Sequence, residues 1–291
     1  MIPTLSSKAF GGQLSTPRSI GMSPIFRGKI KVDDVSLRCY IKPLPDQIIA
    51  PGGKVVDNRE VLSEALGFTL AKSAGLATPD NAGIIMLKSE QIPDQVLAHL
   101  RSITPGNAPQ KDYLAWFSQD MLHPSLLKNH IPDAPDSMRH AALARLALSL
   151  SKNTSTATIV TFDEWSENSD RNLGNLLGSA DGRMILIDHG RLFRYPSWDP
   201  SALVASPLGI QNVIRDLVDS FVPHWSEKTP TKSARLLAYN NLAVTWRSRG
   251  ETAAKDVLAE FLDDAEISQV LDFLSGRLDQ THYNSAVGLL V

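Results

Sequence analysis

The amino-acid sequence predicts an α+β fold, with strands and helices mixed in the N-terminal half and helices alone in the C-terminal half. The segment 35–44 alternates apolar and polar residues, which is the pattern of a half-buried strand. A short apolar segment over 81–88 indicates a second strand. Beyond about residue 207 the apolar residues recur at helical spacing instead. These patterns divide the chain into a mixed part and a helical part.

The N-terminal part begins with about 30 residues rich in glycine, serine and proline, which are expected to form a loop or a frayed terminus. In the strand over 35–44, every second residue from Val35 to Ile41 would lie on one face. An amphipathic helix, ended by a glycine, is predicted over 58–75. A short helix is expected within 91–103.

The middle of the chain has the least regular sequence. Residues 104–137 contain five prolines and are expected to be irregular. A helix rich in alanine and leucine is predicted over 138–152, and 157–165 are expected to be still helical or to form a turn. The later predicted elements are a short strand at Leu176 and Leu177, an Asp181–Gly182 hairpin turn, a strand over 184–188, and helices over 207–222, 232–248, 251–262 and 265–279.

Composition and charge exclude several classes of protein. The 291 residues carry a net charge of −2, so no overall positive charge attracts nucleic acid or an anionic membrane. No apolar stretch approaches the ~20 residues of a membrane helix, and the N-terminus lacks the apolar stretch of a signal peptide. Cys39 is the single cysteine, which excludes an internal disulfide and a cysteine-cluster zinc site. We therefore expect a cytoplasmic protein with no direct nucleic-acid partner and no membrane partner.

The segment 168–190 contains the residues whose chemistry points most clearly to a function. Asp170 and Asn175 form an Asp-x4-Asn pair, and Asp188 follows a predicted hairpin in an Asp-x-Gly sequence. Phosphoryl transfer needs one carboxylate to orient the attacking hydroxyl and hard oxygen ligands to hold Mg²⁺ on the phosphates. Each residue alone could be an ordinary loop residue that caps a turn. Their order, with an apolar strand on each side of the turn between them, favours a catalytic interpretation.

The stretches FDEWSENSDRNLGNLL and MILIDHGRLF resemble the HipA-like kinases, which are bacterial and phage relatives of the protein-kinase and phosphatidylinositol-kinase superfamily. The resemblance implies that Asp170 is the catalytic carboxylate and that Asn175 and Asp188 bind Mg²⁺. It implies that Asn168 shapes the loop, and it leaves the role of Arg171 open.

His189 follows the last of these residues, at a position where the resembled family tolerates histidine. We interpret it as a packing residue that orients Asp188, in preference to a metal ligand. The remaining histidines have no metal-site spacing, which argues against a zinc hydrolase.

The resemblance extends upstream to a lysine and a glutamate. Lys42, on the first predicted strand, is similar to the kinase lysine that pairs with the α- and β-phosphates of ATP, although a single strand lysine can also be a solvated charge. Glu64 precedes a Gly-Leu-x-x-Pro turn at 75–79, as a helix glutamate does in the family. An ion pair between Lys42 and Glu64 would hold the lysine toward the phosphates. Glu60, one turn earlier, is an alternative partner or a plain surface residue.

Residues 116–121 fall where a hinge would follow the small lobe of a kinase. In that interpretation the backbone at Ser118, Gln119 and Asp120 would bind the adenine edge of ATP. A buried hydrophobic turn is the alternative.

The segment 11–28 falls where a phosphate-covering loop is expected, although it contains no Gly-x-Gly-x-x-Gly sequence. In the resembled family this loop can be autophosphorylated on serine. Ser19 and Ser23 are possible positions here, and the sequence favours neither.

The resemblance implies a bilobal, protein-kinase-like fold. Residues 1–115 would form a small β-containing nucleotide-binding lobe and 116–291 a mainly helical catalytic lobe, with ATP and Mg²⁺ between them. It implies a Ser/Thr protein kinase that acts as a toxin or regulator, with translation factors as family targets and an antitoxin as partner. The alternatives are a small-molecule or lipid kinase, and a nucleotide-binding pseudokinase that acts through protein interaction.

Overall fold

The computed structural model describes residues 2–14, 24–50, 52–107, 109–204, 211–286 and 288. Ser19 and Ser23 lie outside the described residues, as does much of the segment 11–28.

The chain forms two compact units. Unit 1 comprises Met1–Ala65 and Pro79–Leu122, and unit 2 comprises Leu66–Thr78 and His123–Val291. The first unit is built on a β-sheet and the second is mainly helical. The predicted α+β fold class, with a small β-containing part before a mainly helical part, is therefore confirmed.

Unit 1 contains eight strands among its described residues, together with one complete α-helix and the beginning of another. The strands are β1 (Thr4–Leu5), β2 (Phe10–Gln13), β3 (Phe26–Val32), β4 (Val35–Leu44), β5 (Gln47–Ile49), β6 (Val55–Asp57), β7 (Ala82–Lys88) and β8 (Asp112–Gln119). Helix α1 (Glu60–Ser73) begins in unit 1 and ends in unit 2, and α2 (Asp94–Ile103) lies within unit 1.

Six of these strands make one sheet in the order β1-β7-β8-β4-β3-β2. Strand β1 runs parallel to β7, and the other neighbours are antiparallel. Strands β5 and β6 form a separate hairpin. The residue pairs Lys42–Trp116 and Tyr40–Ser118 register β4 against β8. This register fixes the position of Lys42 within the sheet.

Strand β4 has the predicted bounds, and its alternation directs one face into the core. Cys39 and Ile41 are completely buried, whereas Val35, next to the β3–β4 turn, is 58% exposed. Burial raises the pKa of the Cys39 thiol to about 12, and the nearby charge of Asp120 adds to this shift. The thiol therefore stays protonated and serves as a small core side chain.

Two segments expected to be irregular contain strands instead. Strands β2 and β3 lie within the first 32 residues, and β8 lies within 104–137. In β3 the apolar residues Phe26, Ile30 and Val32 alternate with cations, and in β8 Tyr113, Ala115 and Phe117 are buried at every second position. Both patterns have the strand period of two, but the neighbouring glycines and prolines favoured a loop prediction for these segments. The predicted boundary between 115 and 116 falls inside β8.

Unit 2 is mainly helical. Its described helices after α1 are α3 (Leu126–His130), α4 (Asp136–Lys152), α5 (Thr154–Trp165), α6 (Val213–Phe221), α7 (Thr229–Thr245), α8 (Glu251–Leu258), α9 (Asp264–Gly276) and α10 (Gln280–Ala286). A π-helical turn, Trp246–Gly250, joins α7 to α8. The predicted helices are present with ends shifted by a few residues, apart from the start of the 207–222 helix, which lies partly outside the described residues. Among the described residues, no helix combines the length and apolar character needed to cross a bilayer.

Helix α5 forms the centre of unit 2, because residues on all its sides are buried. Trp165, at its last position, donates a 3.0 Å hydrogen bond from Nε1 to the carbonyl of Leu274 on α9. The start of the following loop is thereby held against the core of the unit. This loop leads to a two-stranded hairpin, β9 (Leu176–Gly178) and β10 (Met184–Leu186), whose turn contains Gly182 at a φ of 83°. The predicted hairpin is thus present.

Candidate active site

Lys42, a buried lysine of unit 1, forms ion pairs with two carboxylates. Lys42 Nζ lies 2.8 Å from Glu64 Oε1 and 2.6 Å from Glu60 Oε1. The ion pair predicted between Lys42 and Glu64 is therefore present, and the alternative partner is engaged at the same time. All three side chains are buried. Because a buried charge is tolerated only when it is paired, this cluster accounts for a lysine inside the unit.

Helix geometry explains why both glutamates reach one ammonium group. Glu60 and Glu64 are four residues apart on α1, so their side chains lie one above the other on the same face. Asn58 fixes the start of the helix, because its Oδ1 accepts from the amide of Glu60 at 3.1 Å and its Nδ2 donates to the carbonyl of Pro45 at 2.9 Å.

The predicted hinge residues lie at the end of β8, and each makes contacts within unit 1. Gln119 accepts a 2.6 Å hydrogen bond on Oε1 from Asn81 Nδ2. Asp120 forms a 2.5 Å ion pair with Arg27. The amides of Gln119 and Asp120 donate to the carbonyls of Asn81 and Arg38, both at 2.8 Å. Ser118 pairs with residues of β4 and β7 on its two sides. The role of these residues toward adenine stays a prediction.

In unit 2, one hydrogen bond joins the predicted catalytic and metal-binding residues of the loop after α5. The side-chain Nδ2 of Asn175 donates to the carbonyl of Asp170 at 2.9 Å. This bond orients the Asn175 amide, and because its nitrogen is engaged, its oxygen is the atom suited to a cation. Asp170 is exposed, whereas Asn175 is buried. Asn168 shapes the loop as predicted, since its Oδ1 accepts from the amide of Asp170 at 3.3 Å.

Arg171 connects this loop to the segment that carries Asp188. The guanidinium is completely buried, and its Nη1 donates to the carbonyl of Ile187 and, at 3.4 Å each, to those of Asn175 and Asp188. Its Nη2 lies 3.1 Å from His189 Nδ1. Because arginine can only donate, Nδ1 is the acceptor nitrogen of the imidazole. One side chain therefore binds the backbone on both sides of the hairpin.

Asp163 on α5 provides the counter-charge for Arg171. Its Oδ1 lies 3.2 Å from Arg171 Nε, and neither side chain is exposed. Complete burial raises the pKa of Asp163 to about 6, and the neighbouring guanidinium opposes this rise. The pair thus fixes the loop to the central helix of the unit at the cost of two desolvated charges.

Asp188 has a left-handed backbone, with a φ of 58°. This conformation costs a non-glycine residue roughly 1 kcal/mol or more, although aspartate and asparagine tolerate it best. It ends strand β10 at Leu186 and turns the chain immediately after the hairpin. Strain of this kind is concentrated at functional sites, where the surrounding contacts maintain it. Here the contacts of Arg171 with the carbonyls on both sides of this residue supply that constraint.

Gly67 on α1 provides the space for His189. A Cβ atom at position 67 would lie 2.4 Å from the Cβ of His189 and 2.7 Å from its Cγ. These distances are too short for any pair of carbon atoms that are not bonded. The glycine therefore permits the helix to pack directly on the residue after Asp188.

Replacing Gly67 by alanine is expected to destabilise unit 2 by about 1–3 kcal/mol, because the added methyl group must displace the backbone at His189. Helix propensity alone predicts the opposite sign, a gain of about 1 kcal/mol. Urea unfolding measures the difference in unfolding free energy between Gly67→Ala and wild type. In a His189→Gly background, where the opposing Cβ is absent, the same change should cost much less. A Gly67→Ala protein as stable as wild type would contradict the close packing.

Sequence reasoning missed two residues of this region, Asp163 and Gly67. A charged residue on a helix with apolar residues on all sides could have pointed to Asp163. A glycine inside a predicted helix could have pointed to a close approach at residue 67. Neither feature of the sequence identifies the residue that Asp163 or Gly67 contacts.

The structure is similar to solved protein kinases. It matches the Golgi casein kinase with a TM-score of 0.40 and 12% sequence identity, over 91% of this chain and 72% of that one. It matches a MAP kinase from Leishmania major with a TM-score of 0.30 and 11% identity, over 95% of this chain and 83% of that one. No protein-family model and no curated protein matches the sequence. The functional proposal therefore rests on the residues of this chain and their contacts.

Proposed function

We propose that the chain is an ATP- and Mg²⁺-dependent phosphotransferase of the HipA-like type, a Ser/Thr protein kinase that acts as a toxin or regulator. In this proposal Asp170 orients the acceptor hydroxyl, Asn175 and Asp188 bind Mg²⁺, and Lys42 binds phosphate oxygens. Glu64 holds the lysine in place. Protein and nucleotide are the partners, and an antitoxin that restrains the activity is part of the same proposal.

The observation that carries the proposal is a set of hydrogen bonds that joins Asn175 to Asp170 and joins Arg171 to both Asn175 and Asp188. The Asn175 side chain binds the backbone of Asp170, and the buried guanidinium binds the backbone of both Asn175 and Asp188. Phosphoryl transfer depends on positioning and charge more than on covalent chemistry. A site whose proposed reactive residues are held in place by hydrogen bonds satisfies that requirement.

The donor atoms suit magnesium. Carboxylate and amide oxygens are hard ligands, and Mg²⁺ is usually held by one or two carboxylates together with substrate phosphates and water. Asn175 and Asp188 would supply the protein oxygens, with the amide of Asn175 already oriented by its bond to Asp170. When bound, Mg²⁺ would offset negative charge on the transferred phosphate. The exposed carboxylate of Asp170 is accessible to an acceptor hydroxyl, which it would orient and deprotonate.

A transfer assay with γ-labelled ATP and Mg²⁺ tests the proposal. The purified protein is incubated with a cell lysate, and we expect label on proteins, at serine or threonine. Mass spectrometry of the labelled bands would then show whether translation factors are among them. Label on a small molecule or a lipid would favour the corresponding kinase class. Nucleotide binding without transfer would favour a pseudokinase that acts through protein interaction, and absence of both would overturn the proposal.

A further inference from the structure

Strands β3 and β4 carry a row of cations on one face of the sheet of unit 1. Arg27, Lys29 and Lys31 are alternate residues of β3, so their side chains lie on the same face. The register places Lys29 opposite Arg38 of β4, and Tyr40 lies opposite Arg27 in the same way. Because residues opposite each other on neighbouring strands share a face, these five residues form one surface, which we call the cationic face.

Two cations of this face have no carboxylate partner in the part of the chain that the structure describes. The cations at the two ends of the β3 row are paired, one with Asp120 at 2.5 Å and the other with Asp34 at 2.7 Å. Lys29 and Arg38 are exposed, and neither forms an ion pair with a described residue. Like charges directly opposite each other in a sheet are destabilising. This pair therefore costs stability in the free protein, and an anion bound between the two cations would remove the cost.

The spacing of the cations fits an extended polypeptide. Residues two apart in a strand are separated by about 6.6 Å, so the row from Arg27 to Lys31 is about 13 Å long. A bound segment in extended conformation repeats its side chains at the same interval. Carboxylates at alternate residues of such a segment would therefore meet successive cations. Lys29 and Arg38, whose Cβ atoms are about 5 Å apart in a cross-strand pair, can contact the same carboxylate.

The cationic face is less suited to a nucleic acid. Single-stranded nucleic acids bind through bases stacked on open aromatic rings, in addition to phosphate contacts. Tyr40 is 42% exposed, but the guanidinium of Arg27 lies over its ring, 5.6 Å from the centroid. One face of the ring is thus already occupied by a cation. The net charge of −2 also provides no broad positive field, which a short acidic peptide does not need.

We propose that the cationic face binds an acidic segment of a partner protein, in extended conformation and with carboxylates at alternate residues. Lys29 and Arg38 make the principal contacts, because the other two cations already have carboxylate partners within the chain. The proposal goes beyond the proposed phosphotransferase activity and does not depend on it, since it uses only charged side chains of β3 and β4 in unit 1.

Fluorescence anisotropy with a labelled peptide of Glu-Thr repeats tests the proposal on the full chain, at about 50 mM salt to limit screening. The peptide should bind about tenfold more tightly than a Gln-Thr peptide of the same length. Lys29→Gln combined with Arg38→Gln should weaken binding of the acidic peptide about tenfold. The matched control is Lys54→Gln combined with Lys111→Gln, which removes two charges from exposed positions of unit 1 and should change the affinity less than about twofold.

Charge reversal separates peptide binding from folding. Lys29→Glu places a carboxylate opposite Arg38, so the repulsion becomes an attraction and the melting temperature should rise. The same variant should bind the acidic peptide more weakly than wild type by about tenfold or more. A more stable protein with lower affinity for the peptide is the expected combination.

The contrary outcomes are equally specific. Equal affinity for the Glu-Thr and Gln-Thr peptides would overturn the proposal, as would an equal loss of affinity in the Lys54 and Lys111 control. A lower melting temperature for Lys29→Glu would contradict the repulsion on which the proposal rests. If a labelled oligothymidylate binds more tightly than the acidic peptide, and Lys29→Glu loses that binding, the face belongs to a nucleic acid and the acidic segment is overturned.

Discussion

Replacing Asp170 by asparagine is expected to lower the rate of phosphoryl transfer by about 10²–10⁴-fold, because the acceptor hydroxyl loses its general base. The side chain of Asp170 is exposed, so the fold should be unaffected. Asp188→Asn should also abolish transfer, since it removes the negative charge expected to hold Mg²⁺. Asparagine tolerates the left-handed backbone at this position, so this variant should fold as well. Transfer rates and urea unfolding curves measure the two effects separately.

Asp181→Asn is the matched control for both variants. It makes the same chemical change on an exposed aspartate in the turn of the β9–β10 hairpin. Its transfer rate should equal that of wild type. If Asp170→Asn and Asp188→Asn both retain full activity, the assignment of the catalytic and metal-binding residues is wrong.

Replacing Arg171 by methionine is expected to destabilise unit 2 by about 3–5 kcal/mol, because it leaves the completely buried carboxylate of Asp163 without its cation. The carbonyls of Ile187 and Asp188 lose a donor in the same change. A loss of this size is a large fraction of the 5–15 kcal/mol that stabilises a typical protein. Urea unfolding at neutral pH measures it.

A double-variant comparison separates the ion pair from general packing. Arg171→Met combined with Asp163→Leu replaces both buried charges by apolar groups and should cost less than Arg171→Met alone. Arg171→Lys keeps the charge, but an ammonium cannot span the acceptors that the guanidinium reaches, so an intermediate loss is expected. Arg183→Ala, in an exposed ion pair, should leave stability unchanged. A cost below about 1 kcal/mol for Arg171→Met would show that Arg171 does not hold the two segments together.

Local patterns in the sequence were sufficient for most elements and for the spacing of the candidate site. Strand β4 has the predicted bounds, and the order of Asp170, Asn175, hairpin and Asp188 is the order found in the structure. These features depend on residues close together in the chain, whose periodicity and turn chemistry are readable locally. Strands β3 and β8 have the same period, yet nearby glycines and prolines obscured it.

What the sequence determined by itself is the α+β class, the position of the hairpin and the set of polar residues around it. The tertiary structure alone decided how those residues are held. Arg171 meets Asp163 and the backbone near Asp188, Gly67 meets His189, and Lys42 takes Glu60 together with Glu64. These partners are separated by up to about 120 residues in the chain. Burial brings them together, because a charge or polar group removed from water must find its partner wherever packing places one.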